Sequence, residues 1–319
     1  LQHDAVGMAL GINRRVKDGR VVGTGYYNVW THIKLTAAPE SSAFTRHLEP
    51  DELLHVPIAH GEGRFMMENA LLDELKERGL TPFRYADPLG AIIPDFPVNP
   101  NGAMDNLAAV TNLTGNVMAI MPHPERSPDG QKIFTSMRDY IAENKAISMS
   151  DIPPLTYTPP SYTTAAYTPT TNMLEMIVSM IITDNEASTV RNTLSGYGIH
   201  ADLKRKTHWE IQYEASVDAE TTINAIINSG ELFNSNKEKL AGPTRPKCAA
   251  HQCVILLVRY RDDVFGQSKK ETLEKRFGVA GIVKITRSTL WHISVERGNI
   301  EVIKNHILDS HILFNQFSQ

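Results

Sequence analysis

The carboxyl-terminal half of the sequence repeats itself, and this repeat constrains the fold more than any other feature. Trp209 is matched by Trp291, 82 residues later, and the Leu-Phe-Asn segment at 232–234 is matched by the same segment at 313–315. Around these landmarks, strand-like and helix-like patterns follow the order β-α-β-β-α in both copies. We therefore expect two α+β units, each a split βαβ sandwich with its helices on one sheet face. Their edge strands could pair into one continuous sheet.

The predicted elements of the two copies correspond one to one. In the first copy they are strands at 173–183, 201–206 and 209–216, with helices at 185–194 and 219–228. In the second copy they are strands at 254–260, 282–287 and 290–295, with helices at 269–277 and 300–308. We assign residues 173–243 to the first unit and residues 244–319 to the second.

A segment rich in proline and threonine precedes the repeats. Residues 151–172 contain five prolines and show no hydrophobic periodicity. This composition is typical of a linker that is partly polyproline II. We place the linker at 149–172 and interpret it as a spacer, although its tyrosines could dock on a partner.

The amino-terminal region, residues 1–148, alternates strands with helices. The predicted strands cover 26–35, a run that begins at Leu53, and 82–85, 106–110 and 117–121, with helices at 68–78 and 133–144. Polar residues follow two of the strands directly. This layout is typical of an α/β sheet that carries its functional site at the carboxyl edge.

A histidine and a glutamate close the last of these strands. The apolar run at 117–121 ends at Pro122 and is followed by His123, Pro124 and Glu125. Because proline disfavours helical geometry at the preceding residue, we expect an extended chain in which positions i and i+2 point the same way. An imidazole beside a carboxylate can act as a general base that activates a nucleophile. A loop histidine next to a surface glutamate gives the same pattern.

A second polar segment, His60-Gly-Glu-Gly-Arg64, follows the strand that begins at Leu53. Glycine permits close backbone approach and tight turns. We expect His60, Glu62 and Arg64, with Asn101 and Gly102, to form the exposed rim of a substrate or partner pocket. A glycine-rich turn with incidental charges has the same spacing.

Six short segments of this region share their order and spacing with a known family. They are His60-Gly-Glu-Gly-Arg64, Arg84-Tyr85 with Asp87, Pro100-Asn-Gly102, Thr111-Asn112, Gly115-Asn116 and Met121-Pro-His-Pro-Glu-Arg126. Together they resemble the glutaminase subunit of phosphoribosylformylglycinamidine synthase (PurQ), a class I glutamine amidotransferase. The resemblance implies that residues 1–148 are the carboxyl-terminal part of a flavodoxin-like α/β domain. It also implies that His123 is the base and Glu125 its orienting partner, acting on a cysteine thiol that attacks glutamine and releases ammonia.

The nucleophile of that family lies on a Gly-x-Cys-Asn-Gly turn, and no segment of this sequence resembles it. The two cysteines, Cys248 and Cys253, follow the linker. We therefore expect the sequence to begin after the nucleophile turn, so that the chain alone is inactive and requires an amino-terminal half that carries the cysteine. Ala103 also stands where family members usually have serine.

In length and order of elements, the two repeats resemble the small subunit of the same synthase (PurS), which the family uses as a dimer to bridge the glutaminase to the large subunit. The resemblance implies a component of purine biosynthesis that passes ammonia from glutamine to a separate large subunit acting on formylglycinamide ribonucleotide. ATP and magnesium are expected on that partner, and no cofactor or metal is expected in this chain, because it has no glycine-rich phosphate loop.

Two alternatives remain open. The repeats could be tandem ACT-like sensors of a small metabolite on a catalytically dead scaffold, although the turns at 183–185 and 260–262 lack the glycine common in such units. The chain could also derive from another class I amidotransferase, against which the His-Gly-Glu-Gly-Arg segment argues.

Composition narrows the partners and the compartment. The net charge of −4 provides no basic excess for binding nucleic acid. No apolar stretch approaches the ~20 residues of a membrane span, so no membrane is expected as a partner. Two cysteines without metal-site spacing favour a reducing compartment, and we expect a cytoplasmic protein.

Overall fold

The computed structural model describes residues 7–143, 152–158, 163–241, 252–296 and 298–319. The chain divides into two compact units, Leu1–Ser161 and Tyr162–Gln319, called unit 1 and unit 2 below. Unit 1 contains the amino-terminal α/β region, and unit 2 contains both sequence repeats.

Among its described residues, unit 1 has nine strands and two helices. They are β1 (Met8–Gly11), β2 (Arg14–Lys17), β3 (Arg20–Thr24), β4 (Tyr27–Leu35), β5 (Leu53–His60), β6 (Arg64–Met67), α1 (Asn69–Glu77), β7 (Phe83–Ala86), β8 (Ala109–Thr111), β9 (Met118–Ile120) and α2 (Gln131–Glu143). The predicted mixed α/β architecture is confirmed. Strands β5, β4 and β7 form a three-stranded sheet in that order, and β1 pairs with β6, β2 with β3 and β8 with β9. All strand pairs in the described part of this unit are antiparallel.

The core of unit 1 lies against the three-stranded sheet. Ile33 of β4 lies opposite Leu54 of β5, and both side chains are almost fully buried together with Phe83 of β7. Ile133 of α2 belongs to the same cluster. Burying an aliphatic or aromatic side chain of this size contributes about 1.5–3 kcal/mol. Packing of this sheet therefore fixes the ends of β5 and β9, where the predicted site residues lie.

Helix α1 has the apolar stripe predicted from the sequence. Leu71, Leu72 and Leu75 are buried on one face, and they pack with Phe65 of β6. The helix is followed by Gly79, whose φ of 69° is a left-handed conformation that glycine adopts without strain. The predicted helix at 68–78 is confirmed.

The first described part of the linker, residues 152–158, is bound to α1 and is not a plain spacer. The guanidinium of Arg78 donates to the carbonyl oxygens of Pro153 at 2.6 Å and Pro154 at 2.7 Å. The carboxylate of Glu74 accepts hydrogen bonds from the backbone N–H groups of Thr156 and Tyr157 at 2.7 and 2.8 Å. The sequence prediction missed this docking because extended proline-rich backbone leaves its polar groups free to bind a neighbouring helix.

Unit 2 forms one antiparallel sheet with helices. Its described elements are β10 (Met173–Met180), α3 (Asn185–Gly196), β11 (Asp202–Tyr213), α4 (Ala219–Ser229), β12 (Glu238–Ala241), β13 (Cys253–Arg259), α5 (Val264–Phe277), β14 (Ile282–Ser294) and α6 (Ile300–Asp309). The five strands follow the order β12-β10-β11-β14-β13. The two repeats meet at the β11–β14 pair, which confirms that their strands join into one continuous sheet.

Each repeat has one long strand where the sequence predicted two short strands. Residues 201–206 and 209–216 fall mostly in β11, and 282–287 and 290–295 fall mostly in β14. The predicted breaks contain no glycine or proline, and Thr207 and His208 pair directly with Thr289 and Ser288 across the sheet. The prediction of a β-α-β-β-α order was wrong on this point, because the paired ladder keeps these residues extended.

The helices of one repeat pack on the core of the other. Leu273 of α5, from the second repeat, lies in a cluster with Trp209 and Ile226 of the first repeat. Leu194 of α3, from the first repeat, lies in a cluster with Trp291 of the second repeat. Both leucines are fully buried. Neither repeat therefore has a complete core of its own.

Aspartate residues define the starts of three helices in unit 2. Asp184, Asp218 and Asp263 accept hydrogen bonds from backbone N–H groups in the first turns of α3, α4 and α5. Such caps satisfy N–H groups that have no partner within the helix. Because Asp263 provides this cap, α5 begins at Val264 and not at residue 269 as the sequence predicted.

Two further observations concern the cysteines and the helices. Cys253, the first residue of β13, is disulfide-bonded, whereas the sequence led us to expect a reducing compartment; Cys248 lies outside the described residues. In the part of the chain that the structure describes, no helix has both the length and the apolar character needed to cross a membrane.

Candidate functional site

His123 and Glu125 form a hydrogen-bonded pair directly after β9. Nδ1 of His123 lies 2.7 Å from Oε1 of Glu125, and the two side chains are 31% and 50% exposed. Because an ionised carboxylate only accepts hydrogen bonds, Nδ1 carries the proton and Nε2 is the basic nitrogen of the neutral ring. The predicted adjacency of the imidazole and the carboxylate is confirmed, and the pair is accessible to a reactant.

The backbone between them is a 3-10 turn and not the extended segment that the sequence predicted. The turn covers Pro124–Arg126, and the N–H of Arg126 donates to the carbonyl of His123 at 3.1 Å. Proline is well suited to the first position of such a turn, because its fixed φ is already helical and its missing N–H would have no partner there. This turn brings the side chains of His123 and Glu125 together.

The pair borders an apolar cleft. The cavity has a volume of about 290 Å³, and His123 and Glu125 are its only polar lining residues in the described structure. Its apolar walls include Met118 and Ile120 of β9 and Phe134 of α2. An apolar wall strengthens electrostatic interactions beside it because the local dielectric constant is lower than in water.

The ionisation state of Glu125 determines whether it can orient His123. Partial burial raises the pKa of this carboxyl, but its own backbone N–H, the hydrogen bond from His123 and the positive charges of His123 and Arg126 together lower the pKa below its usual value. Glu125 is therefore ionised at neutral pH. It can fix the tautomer of His123 and stabilise the imidazolium that forms when the ring accepts a proton.

Asn13 holds the loop that carries His60. Its amide nitrogen donates to the carbonyl of His60 at 2.6 Å, and its amide oxygen accepts from the N–H of Gly63 at 2.9 Å. The same oxygen lies 3.1 Å from Nδ1 of His60. Asn13 is fully buried, and sequence reasoning missed it because its partners are about fifty residues away along the chain.

Two glycines allow the backbone to fold this tightly. A Cβ at Gly63 would lie 2.2 Å from Cε1 of His60, and a Cβ at Gly102 would lie 2.3 Å from the carbonyl oxygen of Arg14. Gly102 also has a φ of 76°. Gly102 therefore requires glycine, because a Cβ would meet backbone, whereas a side chain at Gly63 would displace the ring of His60.

Only part of the predicted rim is exposed. Glu62 is exposed, and His60 and Gly102 are half-buried, whereas Asn101 and Arg64 are buried. Asn101 donates to the carbonyl of Gly63 at 2.8 Å and to the hydroxyl of Tyr85 at 3.3 Å. The rim assignment was therefore wrong for Asn101 and Arg64. Asn101 acts as an internal brace, because its amide can satisfy several backbone groups of the glycine turns at once.

The structure brings His60 close to His123. Burial lowers the pKa of His60, and the charge of the nearby His123 lowers it further. Nε2 of His60 is buried and makes no hydrogen bond within the described structure. At neutral pH His60 is therefore uncharged, and His123 is the histidine of the two that has a carboxylate partner.

No group of three or more histidine, cysteine, aspartate or glutamate residues in the described ranges is arranged to hold a metal ion. The site consists of a neutral buried histidine and an exposed histidine-carboxylate pair beside an apolar cleft. Such a pair can accept a proton from a nucleophile and return it to a leaving group.

Comparison with known families matches unit 1 to a single domain type. Residues 24–148 match the family model of the CobB/CobQ-like glutamine amidotransferase domain. This part of the chain, which contains His123, Glu125 and the His60 loop, is thus similar to a glutamine amidotransferase domain. The fold expected from the sequence motifs is confirmed at this level.

The relatives carry the name that the motifs predicted. The chain is 36% identical over 160 residues to the phosphoribosylformylglycinamidine synthase subunit PurQ of Methanothrix thermoacetophila, a match that covers 45% of this chain and 61% of that protein. It is 43% identical over 97 residues to the PurQ subunit of Aquifex aeolicus, covering 30% of this chain and 42% of that protein. The chain thus spans about half the length of the relatives it matches. The resemblance to PurQ is confirmed for the amino-terminal part, and the resemblance of the repeats to PurS stays a prediction.

A solved structure, described as PurLQS from Thermotoga maritima, is 27% identical to the chain and covers 42% of it and 53% of the solved chain, with a TM-score of 0.31. A TM-score this low does not establish a shared fold.

Proposed function

We propose that unit 1 supplies the base and the orienting carboxylate of a glutaminase, and that the chain is a component of phosphoribosylformylglycinamidine synthase in purine biosynthesis. The glutamine amidotransferase domain at 24–148 supports the reaction class, and the PurQ relatives support the pathway. The observation that carries the proposal is the 2.7 Å contact between His123 and Glu125 at the edge of a cleft.

The proposed reaction uses this pair twice. Nε2 of His123 accepts the proton of a cysteine thiol, and the thiolate attacks the side-chain amide carbon of glutamine. The imidazolium, stabilised by Glu125, then gives its proton to the departing nitrogen, and ammonia leaves a thioester. Water, activated by the same imidazole, cleaves the thioester to glutamate and restores the thiol.

The proposal assigns the thiol to a separate segment, because residues 24–148 contain no cysteine and Cys248 and Cys253 both follow the linker. In this proposal it belongs to a segment with the family's Gly-x-Cys-Asn-Gly turn that is not in the printed sequence. The exposed or half-buried residues of the rim, His60, Glu62 and Gly102, face that segment or the glutamine. The chain alone does not hydrolyse glutamine.

The repeats of unit 2 have a bridging role in this proposal. They resemble a fused pair of PurS-like units that hold the glutaminase against a large synthase subunit, which uses the ammonia on formylglycinamide ribonucleotide. ATP and magnesium bind to that partner. Covalent linkage raises the effective concentration of the glutaminase at the bridge.

The proposal places the chain in the cytoplasm, where a thiolate nucleophile stays reduced. The disulfide at Cys253 argues against this compartment, since disulfides are rare there. Alkylating the thiols of intact cells before lysis tests the placement. Free Cys253 in the cell supports it, and a fully oxidised Cys253 contradicts it.

The reaction is tested with a fusion in which a segment bearing the Gly-x-Cys-Asn-Gly turn precedes the full chain. Ammonia release from glutamine is measured for the fusion and for its His123→Ala variant. Removing the base should lower kcat by about 10²–10⁴-fold, and Glu125→Gln should cause a smaller loss because the ring keeps its basic nitrogen. Synthesis from added ammonia by the complex with the large subunit should not change.

His47→Ala is the matched control. Nε2 of His47 lies 3.0 Å from Oδ2 of Asp139. The variant therefore removes a histidine-carboxylate pair that belongs to unit 1 but does not line the cleft. It should leave glutamine hydrolysis unchanged. Equal loss in His47→Ala and His123→Ala would indicate a general folding effect and would overturn the assignment of the base.

A further inference from the structure

Unit 2 contains a cavity that the proposed glutaminase does not use. It has a volume of about 550 Å³ and lies between the central strands, the loop that follows α4 and the start of α5. Its lining includes Trp209 of β11, Arg287 of β14 and Phe265 of α5. Cavities of 300–1,000 Å³ are the size that small-molecule ligands occupy.

Arg287 is the central charge of this cavity. Its guanidinium carbon lies 5.1 Å from the ring centre of Phe265 and 5.9 Å from that of Trp209. The side chain is half-buried and makes no ion pair with any residue in the described ranges. Aromatic faces hold a guanidinium by cation–π attraction and leave its N–H donors unused. Arg287 is thus positioned in the cavity with its hydrogen-bonding capacity free.

A second uncommitted cation lines the same cavity. Lys237 has no ion pair within the described structure, whereas Lys269 is paired with Glu231 at 2.6 Å. The other lining carboxylate, Glu238, accepts a hydrogen bond from the backbone N–H of Asn234 at 2.6 Å. The lining residues therefore carry three positive and two negative charges, a net charge of +1, and among the described residues Arg287 and Lys237 are the lining cations outside an ion pair.

The first repeat shows which chemical group this arginine position binds. Arg205 lies 82 residues before Arg287, at the equivalent point of β11. Its guanidinium forms two bonds to Asp184, at 2.9 and 3.1 Å, and a third contact to Glu186 at 2.5 Å. Carboxylate oxygens of the protein itself therefore occupy the position in the first repeat.

The second repeat keeps the capping aspartate but has phenylalanine in place of the second acid. Glu186 lies two residues after the cap of α3, Asp184, and Phe265 lies two residues after the cap of α5, Asp263. The carboxylate of Asp263 is engaged by the backbone N–H groups of Gly266 and Arg287, at 2.9 and 2.5 Å. An external anion is therefore the group that can complete the coordination of Arg287.

We propose that this cavity binds a small organic phosphate through Arg287, with Lys237 as the second cation. A phosphate monoester offers three strong acceptor oxygens, one more than a carboxylate, to the two cations that are outside an ion pair. The planar fork of arginine binds two phosphate oxygens at once. The volume beyond the arginine accommodates the organic part, and the aromatic rings of Trp209 and Phe265 provide an apolar wall for it. The inference does not depend on the glutaminase role of unit 1.

Calorimetric titration of the full chain tests the site with three probes: AMP, inorganic phosphate and glutamate. AMP should bind with one site per chain, because the first repeat's arginine is already occupied. Arg287→Ala should weaken AMP binding by about ten- to a hundredfold, the effect of removing a charged hydrogen-bonding partner. Phe265→Glu should also weaken it, but by less than Arg287→Ala, because it offers Arg287 the exposed internal carboxylate that Glu186 supplies to Arg205.

Arg276→Ala is the matched control. Arg276 also lies over an aromatic ring, 5.4 Å from the centre of Phe277, but it is exposed and does not line the cavity. It should bind AMP as the unaltered chain does. The proposal is overturned if AMP produces no binding heat, if Arg287→Ala binds AMP unchanged, or if glutamate binds as tightly as AMP. Thermal unfolding of each variant shows whether a loss of AMP binding comes from misfolding. If Arg287→Ala misfolds, AMP binding by Phe265→Glu, which keeps Arg287, tests the proposal.

Discussion

The two repeats of unit 2 place an arginine at the same point of the fold and use it differently. Arg205 lies opposite Trp291 in the β11–β14 ladder, and Arg287 lies opposite Trp209. Arg205 binds two carboxylates at the start of α3, whereas Arg287 lies against two aromatic rings. The tryptophans, the strand pairing and the helix caps are shared by both repeats. Two differences set the arginines apart: Phe265 stands where the first repeat has Glu186, and Asp263 binds the backbone N–H of Arg287 whereas Asp184 binds the guanidinium of Arg205.

The capping aspartates differ in the same way. Asp184 caps α3 through the N–H of Ala187 and binds the side chain of Arg205. Asp263 caps α5 through the N–H of Gly266 and binds only the backbone N–H of Arg287. A carboxylate has two oxygens and can serve two donors. The second donor is the guanidinium of Arg205 in the first repeat and the backbone N–H of Arg287 in the second. The guanidinium of Arg287 is therefore not bound by the capping aspartate.

The largest effect is expected where the repeats share a core. Leu194→Ala and Leu273→Ala should each lower the free energy of unfolding by about 2–5 kcal/mol, because each fully buried leucine leaves a cavity. Urea unfolding followed by fluorescence in a Trp30→Phe background reports unit 2 alone, since Trp209 and Trp291 are then the remaining tryptophans. Both variants should unfold in one transition. Two separate transitions would show that the repeats are independent domains, and Val302→Ala, which alters an exposed side chain, is the control.

A smaller effect should separate the two arginines. Arg205→Ala should lower the free energy of unfolding by about 1.5–3 kcal/mol, because it removes charged hydrogen bonds from the largely buried carboxylate of Asp184. Arg287→Ala should cost less than about 1 kcal/mol, since no carboxylate loses its partner. The same urea titration measures both. Equal losses would indicate that Arg287 has an internal role equivalent to that of Arg205.

Acid should affect the two repeats unequally. Burial raises the pKa of Asp184, but the hydrogen bonds from Arg205 and the Ala187 N–H and the charge of Arg205 outweigh it and lower the pKa. The stabilisation from Asp184 is therefore present above the ordinary pKa of an unfolded aspartate, about 3.9, and is lost as the pH falls through the lowered folded-state value. Arg205→Ala should reduce this acid-dependent loss, and Arg287→Ala should leave it intact. Urea titrations between neutral and acid pH measure the free energy of unfolding of each variant. Identical pH profiles for both variants would contradict the prediction.

The smallest effect is expected at Glu186. Its side chain is 60% exposed, so its ion pair with Arg205 is largely screened by water. Glu186→Gln should lower the free energy of unfolding by about 0.2–1 kcal/mol, and added salt should reduce the difference. A loss as large as that of Arg205→Ala would mean that Glu186, and not Asp184, is the main partner of the arginine.

Local patterns in the sequence were sufficient for the features that depend on neighbouring residues. The leucine stripe of α1 and its terminating Gly79 predicted the helix, and the spacing of His123 and Glu125 predicted their contact. The prediction of an extended segment failed because Pro124 fits a 3-10 turn as well as it fits a strand end. Local spacing placed the two side chains together without defining the backbone that joins them.

Features that depend on distant residues could not be predicted in this way. Asn13 binds the His60 loop across 47 positions of sequence, and no local pattern indicates such a contact. The two long strands were missed because the residues at each predicted break are held extended by their partners across the sheet. Arg205 and Arg287 could have been predicted from the sequence, however, because they are separated by the same 82 residues as the two tryptophans. Aligning the repeats on the tryptophans would have identified the two arginines, but Glu186 and Phe265 are 79 residues apart and correspond only through the helix caps seen in the structure.

The joining of both repeats in one polypeptide has an evolutionary consequence. In a homodimer one gene encodes both halves, so any substitution appears twice, at positions related by symmetry. Duplication within a single chain removes that restriction, because each copy mutates alone. A phenylalanine on one side and a glutamate on the other is a difference that two identical subunits cannot have. Tandem fusion therefore permits an arginine bound by the protein's own carboxylates in one half and an arginine held against aromatic rings in the other.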